Sequence, residues 1–203
     1  MFFGWDCEYI RPDRKIYVDK KCYNFFAENN KLKKVEKDYF DFSAYTPATP
    51  AQTTTNWYCI FRYCGNLEEI EDVGMQGGGY YYTFGWCYKL HTVETLRFVK
   101  EGGYYNPFTR CEEFQHIKNV EGEIGTSFTM KDNPKLTPES AKKLITHLVN
   151  YKGTDNEGTY TFTLNSTTWT NLEASGKPFD DELTGDESLT WRNYVVNVLG
   201  WNT

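Results

Sequence analysis

The sequence predicts a mainly β solenoid of about six coils, each 22–24 residues long, closed at its C-terminal end by a small α+β cap. Three observations predict it. Large apolar residues recur at steps of three within short segments, those segments recur along the chain, and near residue 137 the pattern changes to helical and strand periodicity.

The first observation is clearest in "FRYCGNLEEI", where Phe61, Cys64, Leu67 and Ile70 fall three apart. "FGWCYKLHTV" repeats it with Phe84, Cys87, Leu90 and Val93. A helix face needs alternating threes and fours, and the intervening "QGGGYYYTF" is β-like and broken by glycine, so a turning coil is expected instead.

Aligned on the first position, the anchors are Phe3, Phe26, Phe61, Phe84, Phe108 and Met130, separated by 23, 35, 23, 24 and 22 residues. Three residues later stand Asp6, Asn29, Cys64, Cys87, Cys111 and Asn133, and three further on Tyr9, Leu32, Leu67, Leu90, Phe114 and Leu136. The last step gives Val35, Ile70, Val93 and Ile117 in the inner coils, but Pro12 and Glu139 at the ends, as terminal repeats commonly diverge. The long gap holds "SAYTPATPAQTTTN", a loop insertion at 43–56.

One coil cannot bury its own Phe, Leu and Ile. Coils stacked at roughly the 4.8 Å strand spacing bury all of them, at about 2 kcal/mol for each fully buried large side chain. The Asn/Cys position is a small inward residue beside turning backbone. Asn satisfies backbone groups there, and Cys is expected to fit as a small hydrophobe. Of the three cysteines off this ladder, Cys7, Cys22 and Cys59, Cys59 is expected to be the most exposed and Cys22 next.

At the chain's end, Thr137 suits a helix N-cap, Pro138 the first helical position and Glu139 the first turn. Ala141, Leu144, Ile145, Leu148 and Val149 then form one apolar stripe, ending near Gly153. Tyr160, Phe162 and Leu164 alternate as a strand, and Trp191, Tyr194, Val195, Val198 and Leu199 mark a second helix.

"CIFRYCGNLEEI", "YYTFGWCYKLHTV" and "NPFTRCEEFQHI" resemble the BspA-like (Treponema pallidum type) leucine-rich repeats of bacterial surface proteins. "NPKLTPESAKKLITHLVNYKGTD", "FTLNSTTWTNLEA" and "WRNYVVNVLGW" resemble the C-terminal cap on such repeats in proteins of gut bacteria and their phages, often phage tail or minor structural proteins. The resemblance implies a leucine-rich-repeat solenoid over 1–137 and a capping segment over 138–203 packed on the last coil. It also implies display on a virion, in its tail, or on a bacterial cell surface. The first coil lacks the tidy leucine and proline positions, and "ASGKPFDDELTGDES" lengthens the cap, so the loops are individual to this chain.

Composition narrows the partners. The chain is 18% aromatic, with 16 Tyr, 14 Phe and 6 Trp, and these rings suit strands and contact surfaces. A net charge of −6 with scattered Lys and Arg offers no stripe for a phosphate backbone, so nucleic acid is not an expected partner. No run approaches the ~18 apolar residues of a membrane span, and "MFFGWDCEYIRPDRK" lacks the apolar core of a secretory signal. No membrane insertion is expected, and the missing signal favours the phage version. Because Met1 stands two residues ahead of the first anchor, Phe2 to Asp13 is expected to be covered by another virion or surface-protein domain, by a partner or by another copy.

No C-x-x-C, H-E-x-x-H, zinc spacing or G-x-S-x-G elbow occurs, and the reading is non-enzymatic with no catalytic residue, cofactor or metal expected. His91 and His116 sit near the same point of adjacent coils and are read as surface histidines. "GMQGGGYYY" is read as a turn, and the acidic run Asp180, Asp181, Glu182, Asp186 and Glu187 as solvated loop.

What remains is surface. Trp57, Tyr80 and Tyr104 stand four residues before their anchors, and Tyr23, Tyr58, Tyr81 and Tyr105 stand three before. Neighbours on an extended segment face opposite ways, so one ladder should be core and the other exposed, or both largely core. The candidate binding surface combines Trp57, Tyr80, Tyr82 and Tyr104 with the outward residues of the leucine strand, Glu69, Glu71, Thr92, Glu94, His116 and Lys118. The expected function is a recognition or adhesion module of a phage virion, tail-associated and binding a host-surface protein or glycan. The alternatives are a bacterial cell-surface adhesin and a purely structural virion protein.

Overall fold

The computed structural model describes residues 8–10, 16–17, 22–37, 40–41, 57–71, 79–178 and 189–203. The insertion at 43–56, the anchor Phe3, Cys7, Gly74–Gly78 and the acidic run 180–187 lie outside the described residues, as does most of Phe2 to Asp13.

Strands from successive segments pair in parallel. One sheet runs Tyr9–Ile10, Lys34–Val35, Glu69–Ile70, Thr92–Arg97 and His116–Glu121, in chain order. Its register places Lys34, Glu69, Thr92 and His116 in one row and Val35, Ile70, Val93 and Ile117 in the next. A second sheet joins Cys22–Tyr23, Trp57–Tyr58 and Tyr80–Tyr81, and a bridge from Tyr81 to Tyr105 extends it.

Between these sheets lies the core. Phe26, Phe61, Phe84 and Phe108 stack face to face with ring centroids 5.7, 6.0 and 4.8 Å apart. Leu32, Leu67, Leu90, Phe114 and Leu136 lie beside them, all fully buried. Each residue completes a layer begun by its equivalent one segment away, so apolar burial rewards the stack and not the single turn.

The backbone repeats as strictly as the side chains. Among the described residues, all eight non-glycine residues with positive φ lie two before or two after an anchor: Asn24, Cys59, Tyr82 and Asn106 before, Glu28, Tyr63, Trp86 and Arg110 after. Left-handed residues cost about 1–2 kcal/mol each, so something must offset them in every turn. Their geometry aims alternate N–H groups along the stack. Cys59, Phe61 and Tyr63 donate to the carbonyls of Tyr81, Thr83 and Gly85, and Tyr82, Phe84 and Trp86 donate to Tyr105, Pro107 and Thr109, all within 2.8–3.0 Å.

The cysteine ladder has a polar role that the small-hydrophobe expectation missed. Cys64, Cys87 and Cys111 donate from Sγ to the carbonyls of Phe26, Phe61 and Phe84 at 3.1, 3.0 and 3.0 Å. Asn133 continues the series from Nδ2 to Phe108 at 3.1 Å. Each donor serves the anchor carbonyl one segment earlier.

Helix α1, Pro138–Ile145, starts where expected, with Thr137 Oγ accepting from Ser140 N. It stops well short of Gly153. Ile124 N donates to His147 O and Val149 N to Ile124 O, so bridge pairing replaces helical bonds, while Leu148 and Tyr151 stay buried in the bridged path. Strand Phe162–Leu164 pairs in parallel with Phe128–Met130. A helix absent from the sequence reading follows: α2, Ser166–Ala174, capped by Asn165, whose side chain accepts from Thr167 N. Short α3, Trp191–Asn193, continues into a π-helical turn over Tyr194–Val198. Glu173 of α2 accepts from the N–H groups of Trp191 and Arg192, both at 2.9 Å.

Helix α1 also protects the edge of the larger sheet. Ser140 Oγ accepts from Ile117 N at 2.9 Å and donates to Gln115 O at 3.0 Å, while Lys143 Nζ reaches Ile117 O and Lys118 O. These are groups that a further strand would otherwise claim.

Candidate binding surface

The two tyrosine ladders face opposite ways, and the four-before ladder is the inner one. Tyr80 is 1% and Tyr104 7% exposed, which removes both from the candidate surface. Their hydroxyls are consumed inside: Tyr80 Oη donates to Arg97 O at 2.6 Å, and Tyr104 Oη donates to Val99 O at 2.8 Å while accepting from Val99 N at 2.8 Å. Burial pushes the Tyr104 phenol well above its ordinary range. The backbone of Trp57 pairs with Tyr80, and its side chain lies outside the described residues.

The outer ladder is Tyr58, Tyr81 and Tyr105, whose rings stack with centroids 4.5 and 4.9 Å apart. Tyr58 and Tyr81 are half-buried, and Tyr105 is 51% exposed. Tyr82, half-buried, meets Tyr81 and Tyr105 edge to face at 5.1 and 5.2 Å and leans on Trp86 at 5.4 Å. Trp86 in turn packs on Tyr63 at 4.9 Å, and the Arg62 guanidinium lies over both, 4.8 and 4.6 Å from the ring centroids.

Six rings and one arginine thus form a continuous, partly exposed surface. Tyr63, Tyr82 and Trp86 are also left-handed residues at the bends. Burial, then the neighbouring phenols Tyr58 and Tyr82, raise the Tyr81 hydroxyl. A hydrogen bond with Tyr82 raises that of Tyr105. These phenols therefore stay protonated at neutral pH and present donors as well as apolar faces.

The other half of the candidate surface divides. On the leucine strand, Lys34 pairs with Glu71 at 2.6 Å and Glu69 at 3.6 Å, and Glu94 pairs with Lys118. His116 is exposed, whereas Thr92 is 6% exposed with its hydroxyl 2.9 Å from His91 Nδ1, so Thr92 leaves the surface. The charges satisfy one another across neighbouring strands. Cys59, expected to be exposed, is fully buried, and burial raises its thiol pKa. Among the described residues, no group of three His, Cys, Asp or Glu is placed to hold a metal ion, and no helix is long and apolar enough to cross a membrane.

Tyr58, Tyr81, Tyr105, Tyr63, Trp86 and Arg62 are the surface residues that sequence reasoning did not select. The three-before recurrence marked the outer tyrosines, and the aromatic pair two residues after the anchor marked Tyr63 and Trp86. Beside Tyr105 an open cleft of about 480 Å³ runs over Gly102 and Gly103 towards Ser127 and Tyr160. Comparison with family models, with curated proteins and with solved structures returns no match for this chain.

Proposed function

We propose that the chain is a non-catalytic recognition module: a BspA-like leucine-rich-repeat solenoid over 1–137 with an α+β cap over 138–203, contacting its target through the outer aromatic surface. Parallel pairing of equivalent residues one repeat apart, with left-handed turns recurring at the same spacing, supports the architecture. The observation that carries the function is the continuous ring surface from Tyr58 through Tyr105 and Tyr82 to Trp86 and Tyr63. Large rigid rings with polar tips give contact area at low entropic cost, and arginine beside aromatics is the composition of binding hot spots.

The target class follows from the resemblance: a host-surface protein or glycan met by a phage tail, or the same kind of ligand met by a bacterial surface adhesin. Purified protein should bind host cells, and Tyr82→Ala with Trp86→Ala should weaken that binding at least about tenfold, or ~1.4 kcal/mol, without lowering thermal stability appreciably. Retention of full binding by the double variant would reject this face. Immunogold labelling of phage particles and host cells separates tail, capsid and cell surface.

A further inference from the structure

The outer tyrosine stack ends in a vacancy. Tyr58, Tyr81 and Tyr105 occupy the same position in successive segments, three before the anchor, and the residue three before the next anchor, Met130, is Ser127. Among the described residues, the ring partners of Tyr105 are Tyr81 and Tyr82, so the stack supplies no fourth rung. The space beyond is the 480 Å³ cleft, within the roughly 300–1,000 Å³ typical of small-ligand sites.

Close backbone packing fixes the floor of the cleft. A Cβ on Gly102 would collide with the Tyr104 hydroxyl, and one on Gly79 would collide with the carbonyl of Gly103 in the adjacent segment. Thr126 Oγ donates to Gly102 O and ties the floor to the next turn. Ser127 Oγ accepts from Thr161 N at 3.0 Å, which leaves its own O–H to donate. Glu101, exposed at the rim, supplies a carboxylate acceptor.

We infer that this cleft is a saccharide subsite that seats one neutral hexopyranose ring as the fourth rung of the tyrosine stack. A pyranose has an apolar C–H face for Tyr105 and equatorial hydroxyls for Ser127 and Glu101. An aromatic side chain in the same place would offer no hydrogen-bond partner to Ser127 or Glu101, which are both exposed beside Tyr105. An anionic sugar would meet the Glu101 carboxylate and a chain of net charge −6.

The inference rests on the recognition reading and specifies its ligand. Saturation-transfer NMR on the full chain tests it, with the methyl β-glycosides of glucose, galactose and N-acetylglucosamine and with methyl α-sialoside as the anionic control. At least one neutral glycoside should receive saturation on its ring protons, and the sialoside none. Tyr105→Ala should weaken that binding about tenfold or more. Ser127→Tyr, which fills the vacancy with a ring of the protein's own, should abolish it, while Ser127→Ala keeps measurable binding with the loss of one hydrogen bond. Circular dichroism establishes that each variant is folded, and Tyr105→Ala, at an exposed residue, carries the test alone if Ser127→Tyr is not.

The inference is overturned if no neutral glycoside binds, or if binding survives Tyr105→Ala. If host cells are still bound in a Tyr82- and Trp86-dependent way while every glycoside fails, the saccharide subsite falls and the recognition reading stands. If neither cells nor glycosides bind, both fall.

Discussion

The thiol of Cys87 donates to the main-chain carbonyl of Phe61, 3.0 Å away and one repeat earlier, and Cys64 and Cys111 do the same for Phe26 and Phe84. Burial pushes the Cys87 thiol well above its usual value, so it remains a donor and not a thiolate nucleophile. Ellman's reagent at pH 8 should therefore leave Cys59, Cys64, Cys87 and Cys111 unmodified in the folded protein and label them all in guanidinium. Peptide mapping after alkylation reads this residue by residue. Rapid labelling of Cys87 in the native state would contradict its placement.

Tyr80 and Tyr104 brace the end of strand Thr92–Arg97 through hydroxyl bonds to Arg97 and Val99. Tyr104→Ala should cost about 3–5 kcal/mol, as large aromatic truncations in cores do, whereas Tyr105→Ala should cost well under that. Tyr104→Phe removes the partner of both Val99 backbone groups and should cost ~1–3 kcal/mol. The Tyr104 phenol is raised above the ordinary value of 10.0, so above that pH the unfolded chain loses a proton that the folded chain keeps. Stability should fall as pH rises beyond about 10, less steeply in Tyr104→Phe than in the parent. Chemical denaturation across pH 8–11.5 measures the difference.

Ser140 stands in for an absent strand. Its hydroxyl serves both Ile117 N and Gln115 O from the first turn of α1. Ser140→Ala leaves these two backbone groups without that partner and should cost ~1–3 kcal/mol, more than an average surface substitution. Amide exchange at Ile117 should accelerate selectively, and unchanged protection there would show that the edge is held by other means.

Glu71 is held below its ordinary carboxylate value, first by the hydrogen bond from Lys34 and then by the N–H of Lys37. A depressed folded pKa gives stability that is present above the unfolded value of 4.5 and lost as pH falls through the lower folded value. Because both side chains are partly exposed, Glu71→Gln should cost at most ~1 kcal/mol at pH 7. The cost should shrink in high salt and be lost progressively as pH falls below 4.5 and through the lower folded value, as read by urea denaturation.

The register of the core was legible because it is periodic. Phe61, Cys64, Leu67 and Ile70 repeat as Phe84, Cys87, Leu90 and Val93, and all eight are buried. Helix α2 was not legible. "STTWTNLEA" is rich in Ser, Thr and Asn, which compete with the helix for backbone hydrogen bonds, and the segment is helical because the neighbouring core accepts Thr168, Trp169 and Leu172. The length of α1 was misread for the opposite reason. Its apolar stripe continues to Val149, but pairing of Ile124 with Leu148 outcompetes another helical turn.

The sequence by itself determined the repeat, its spacing and the two tyrosine ladders, because each follows from counting residues along the chain. Only the tertiary structure decided which ladder faces water. Adjacent residues on an extended segment point to opposite faces, and counting cannot say which face meets the core. The segment Arg97–Val99 decides it by accepting the hydroxyls of Tyr80 and Tyr104, which commits the four-before ladder inward and leaves Tyr58, Tyr81 and Tyr105 to build the surface.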